Sequence, residues 1–187
     1  MPLERNRQES RRGNAPLVLA QNVVVACVLC AGEIIAAPLY MIMINGVVAL
    51  VPWMMVACLV AVAFAVTAGF ALLWLAQSLS ARFRDRYRPL VAAVCGFVGF
   101  GLWGFLVVVS LIDSLVMAQG GAALAGGQTL SVGFNSAVWG FLAFGAATMV
   151  GERLSRRPVL AFVAGAVVVL MAGVGLFYAV SMFSMIY

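Results

Sequence analysis

Residues 16–44 read PLVLAQNVVVACVLCAGEIIAAPLYMIMI, and Glu33 is their one charged residue. A bilayer core of about 30 Å is crossed by roughly 20 apolar residues in a helix, so this stretch spans with a turn to spare. Asn45-Gly46 follows and reads as a turn. The same length test, moved outward, finds further apolar runs at 52–78, 90–117, 132–150 and 159–182. The sequence therefore predicts an all-α integral membrane protein: a five-helix bundle over 16–187, preceded by a basic tail over 1–15. Composition agrees. The chain is 65% hydrophobic and 9% charged, against about 25% charged in an average soluble domain. A soluble chain of 187 residues cannot hide that much apolar surface.

Charge sets the expected orientation. All 11 cationic residues are arginines, and they fall in three places. Four lie in the tail (Arg5, Arg7, Arg11, Arg12), four at Arg82, Arg84, Arg86 and Arg88, and three at Arg153, Arg156 and Arg157. Two spans separate each group from the next, so all three lie at one end of the bundle. Short cytoplasmic loops collect arginine, which places the N-terminus inside and the C-terminus outside. The connections at the other end, near 45–51 and 119–131, carry no charge. On this reading Tyr40, Trp53, Tyr178 and Tyr187 sit toward the outer interface, and Trp74 and Tyr87 toward the inner. Splitting 16–78 into three short helices gives a six-span alternative, with residues 82–88 on the face opposite the tail. Ser10-Arg11-Arg12 and Val24-Val25-Ala26-Cys27 have the outline of cleavable signals. The apolar run nevertheless continues some seventeen residues past Cys27, beyond the roughly 7–15 of a signal core, so the first helix is read as retained.

The chain has no histidine and no lysine. That excludes His-ligated haem, an imidazole base and a lysine Schiff base. Neither a catalytic constellation nor a metal-ligand cluster emerges from the sequence, and neither a cofactor nor enzymatic activity is expected.

Only Glu33 and Asp113 are acids within apolar runs. Intramembrane carboxylates are costly and usually face a bundle interior or a water-filled cavity. Steps of three and four from Glu33 collect Asn22, Ala26, Cys30, Ala37 and Tyr40, a small and polar face suited to helix packing. Asp113 shares a face with Ser110, Leu106, Trp103 and Gly99. Both spans run inside to outside, which puts the two acids at comparable depth in the outer half, away from every arginine. Glu33 and Asp113, with Asn22 and Ser110 beside them, are the candidate proton or cation site, open to the outside. The plainer alternative is a solvated Asp113 and a Glu33 bonded to a neighbouring helix.

Cys27-Val28-Leu29-Cys30 resembles the C-x-x-C of membrane disulfide-forming quinone reductases over those four residues. The family also needs a second cysteine pair in an outer loop. Here both outer connections lack cysteine, so buried small side chains are the expectation for Cys27, Cys30, Cys58 and Cys95.

Gly96, Gly99, Gly101 and Gly104 crowd one span, and Gly165 follows Ala161 by four on the last. Such glycines permit close helix approach, and their angular spread predicts a third span touching two neighbours. Arg82, Arg84, Arg86 and Arg88 are expected to hold anionic lipid headgroups rather than nucleic acid. The leading functional expectation is a non-enzymatic subunit or accessory component of a bacterial inner-membrane complex, bound to a membrane-protein partner or to copies of itself. The alternative is a small oligomeric transporter or channel using Glu33 and Asp113.

Overall fold

The computed structural model describes residues 2–43, 49–81, 85–118 and 120–184. Within them, five helices are long and apolar enough to cross a membrane: α1 (Pro2–Met43), α2 (Leu50–Ser80), α3 (Arg88–Ala118), α4 (Gly126–Ser155) and α5 (Pro158–Ser184). The first 80 residues yield two long helices, so the six-span alternative does not describe this fold. The Asn45-Gly46 turn, Arg82, Arg84 and Tyr187 lie outside the described residues.

Two boundaries differ from the sequence reading. Helix α1 begins at Pro2 and takes in the basic tail. Helix α4 begins at Gly126, six residues early, because Gln128 folds back and its Oε1 accepts the Ala125 N–H at 2.9 Å. That bond satisfies one of the donors a helix start leaves open. Gln128 Nε2 also donates to the Met43 carbonyl at 3.2 Å, tying the start of α4 to the end of α1.

Helices α2 and α3 each contain one π-helical turn in mid-span, at Ala65–Gly69 and Gly104–Val108. Such turns hold one residue more than an α-helical turn and are frequent at functional sites. Thr67 Oγ1 donates to the Ala63 carbonyl at 2.6 Å, beside the first of them.

Helix α1 is the hub. Over half of its span is buried, compared with 17% for α5, and it packs on α2, α4 and α5. Helix α3 packs on α2 and α4 as its glycines predict. Gly96 and Gly140 bring α3 and α4 together backbone to backbone, with a carbonyl where either Cβ would stand. Gly101 meets Ala137, Gly104 meets Ser136 and Gly99 meets Leu72 of α2. Gly165 rests on Val23 of α1 with ordinary clearance, and Gly175 holds α5 against the Met55 carbonyl of α2.

Tyr40 and Trp53 are not interface anchors. Each is 1% exposed, and their rings meet edge to face at 6.2 Å inside the bundle. Trp74 and Tyr87 are exposed, as interface residues would be. The Arg86 guanidinium stands 5.9 Å from the Tyr87 ring centroid.

Candidate polar site in the bundle interior

The helical face read from Glu33 is buried along its whole length. Asn22, Ala26, Cys30, Glu33, Ala37 and Tyr40 all point into the bundle, and Glu33 is 1% exposed. Both of its carboxylate oxygens lack a hydrogen-bond partner. Around it stand Cys30 and Tyr40 of α1 and Cys58 of α2, all within electrostatic reach. Cys30 and Cys58 face each other across α1 and α2, each thiol directed at the other's carbonyl at 3.8 and 3.9 Å. This cross-helix pairing, rather than Cys27 with Cys30, is the thiol arrangement the fold creates.

Toward the arginine-free end, Asn135 Nδ2 of α4 donates to the Tyr40 hydroxyl at 2.7 Å. Ser136 sits beside the same hydroxyl, fully buried, with its own Oγ unpartnered. It packs on Gly104, the first residue of the α3 π-turn, where a Cβ would come within 2.5 Å of it. The indole N–H groups of Trp53 and Trp103 are likewise buried without acceptors.

Toward the arginine-bearing end, Asn22 is 7% exposed and its Oδ1 has no partner. It lies against Gly69, the last residue of the α2 π-turn, with 3.0 Å to the position of an added Cβ. Each π-turn therefore sets a glycine against an unsatisfied polar side chain of a neighbouring helix. Beyond Asn22, Gln77 Nε2 of α2 donates to Gln21 Oε1 at 3.0 Å, above a cavity of about 570 Å³ that opens between α1, α2, α3 and α4. Unsatisfied buried polar atoms cost about 1–3 kcal/mol each, and natural proteins keep few of them. Four helices here keep a chain of them.

The other predicted residues go elsewhere. Asp113 is half-buried, and its Oδ1 accepts the Leu124 N–H at 2.7 Å, anchoring the segment between α3 and α4. It lies nine residues, about 13 Å, beyond Gly104 along α3. Ser110 is exposed and donates to the Leu106 carbonyl at 2.7 Å. Of the paired candidates, Asn22 shares the buried face of α1 with Glu33. Arg88 turns into the cavity with Glu152. Gln21, Gln77, Tyr40, Asn135 and Ser136 were not singled out as a set. Gln21 and Gln77 were visible as amides in apolar runs, but nothing in the sequence pairs them. Among the described residues, no three His, Cys, Asp or Glu side chains are grouped closely enough to hold a metal ion.

These features define a class: a five-helix apolar bundle whose interior carries a polar line through α1. The chain matches no known protein family, no curated protein and no solved structure.

Proposed function

We propose that the protein is a small transporter or channel of a bacterial inner membrane in which Glu33 takes up and releases a proton. The observation that carries this reading is the Glu33 carboxylate itself, 1% exposed with neither oxygen partnered. A residue kept only for packing has an apolar alternative of the same size, whereas a proton carrier needs the carboxyl. A proton suits the site better than a larger hard cation, which takes six or more oxygen ligands. Asn22, Ser136 and the Tyr40 hydroxyl supply polar stepping points on either side. The arginine clusters orient the chain with α1 entering from the cytoplasm, and Arg86 remains a described candidate for anionic headgroups, while Arg88 lines the cavity.

In sealed liposomes carrying a pH gradient, the purified protein is expected to speed proton equilibration. Glu33→Gln is expected to reduce that flux at least tenfold, and Asp113→Asn to leave it within about twofold. Equal flux from wild type and Glu33→Gln removes the proposal, and a matching loss in Asp113→Asn returns the second acid to the site.

One observation favours the subunit reading. The glycines named for partner association are occupied within the chain, but an apolar groove of about 590 Å³ lies on the outer side of α3 and α4, floored by Gly101 and Gly133 between Phe97, Phe105 and Phe134. A partner helix or a second copy docked there is expected to survive extraction in mild detergent, and the mass of the purified particle reads it directly. A lone monomer speaks against both the subunit and the oligomeric form of the transporter.

A further inference from the structure

The cavity at the arginine-bearing end lies on the bundle axis rather than on the lipid-facing side. All four central helices line it, and six of its lining residues are polar: Gln21, Gln77, Ser80, Arg88, Thr148 and Glu152. In a chain of which 65% is hydrophobic, that concentration sets it apart from the apolar grooves on the outside. Its 570 Å³ is far more than the roughly 30 Å³ each water occupies in the liquid, and polar cavities of this kind fill with water.

The floor of the cavity is the Gln21–Gln77 hydrogen bond. Gln77 is exposed to the cavity, Gln21 is 7% exposed, and Gly151 of α4 closes against the Gln21 side chain. The next residue of α1 is Asn22, whose unpartnered Oδ1 meets the α2 π-turn at Gly69. From there the same face of α1 leads in three turns to Glu33, about 18 Å from Gln21 along the helix. Between Asn22 and Glu33 that face runs through the buried cluster of Val25, Leu29, Phe64, Phe100 and Phe144, so the cavity stops short of Glu33, and the far end is closed as well. Tyr40 is held by Asn135 and set edge to face against Trp53, with Val132 and Ile112 packed into the same cluster.

We infer that this cavity is an aqueous vestibule from which protons pass the Gln21–Gln77 pair on their way to Glu33, with Gln21–Gln77 as its inner gate and Tyr40–Asn135 as the closed opposite end. The inference rests on the proton reading of Glu33 and reverses the side on which the sequence placed the opening. The charged groups facing the route are Arg88 of α3 and Glu152 of α4 at its mouth. Cys30, Cys58 and Tyr40 are the titratable groups around Glu33. Arg88 at the mouth does not bar the route, because Glu152 shares the rim.

The test uses the full chain with Thr148→Cys in the vestibule, Gln77→Cys as a second position there, and Asn135→Cys at the far end. Ser155→Cys, at the end of α4, marks the arginine-bearing face. A charged, membrane-impermeant methanethiosulfonate is applied to right-side-out and to inverted vesicles, and modification is read by mass against the wild-type background. Thr148→Cys and Gln77→Cys are expected to react from the face that labels Ser155→Cys, and Asn135→Cys from neither face. Hydrogen–deuterium exchange at Glu33 is then followed through the infrared carbonyl stretch of its protonated form, assigned by its loss in Glu33→Gln. Modification at Thr148→Cys is expected to slow that exchange at least tenfold.

Failure of both vestibule positions to react, reaction from the opposite face, or exchange unchanged by modification each overturns the inference. The infrared and labelling readouts need no transport. Absent proton flux with vestibule labelling and slowed exchange therefore sinks the transport reading alone.

Discussion

Gly140→Val is expected to destabilise the bundle strongly, lowering both its yield and its thermal midpoint. At this crossing α3 and α4 touch through their backbones: a Cβ on Gly140 meets the Gly96 carbonyl and Phe100, and one on Gly96 meets the Gly140 carbonyl and Phe144. A flexible side chain yields to an added methyl, but a carbonyl held in a helix does not. Overpacking of this kind is worth about 3 kcal/mol at the upper end of its usual range, a large part of a marginal stability of about 5–15 kcal/mol. The consequence reaches the polar site, because the same crossing sets Ser136 against the Gly104 π-turn two turns away. The measurement is the yield of monodisperse protein and its thermal midpoint in detergent. Gly173→Ala is the control, since nothing lies within 4 Å of its added Cβ. Wild-type behaviour of Gly140→Val means that α3 and α4 do not cross here.

Glu33→Leu is expected to separate stability from activity: the variant should melt higher than the wild type and conduct no protons. The wild-type carboxyl is buried with both oxygens unpartnered. Leucine of similar bulk removes that penalty of about 1–3 kcal/mol and adds apolar contact with Cys58 and its neighbours. Such a trade between stability and function is typical of functional sites. A lower melting temperature in Glu33→Leu means that Glu33 has structural partners, and the site then loses its main argument.

The spans were legible because each is a long apolar run bounded by arginines or by Gly and Asn. The buried face of α1 was legible for a related reason: helical periodicity alone places Asn22, Cys30, Glu33 and Tyr40 together. What the sequence did not reveal depends on contacts between helices. Glu33 and Asp113 are both acids in long apolar helices, and only the Leu124 N–H that Asp113 accepts in the folded chain shows that it anchors a connecting segment. Tyr40 and Trp53 have the composition of interface anchors, yet both turn inward to fill one another's space. The π-turns have no sequence signature beyond a glycine, and the Gln21–Gln77 pair links residues 56 positions apart.

The peripheral place of α5 has a consequence for biogenesis. Every described residue of the polar line, from Gln21 and Gln77 through Asn22 and Glu33 to Tyr40, Asn135 and Ser136, belongs to α1–α4, as do both π-turns. Chains emerge from the ribosome N-terminus first and fold largely in that order. The interior site is thus fully encoded before α5 is made, and the last helix arrives at a bundle whose chemistry is already in place.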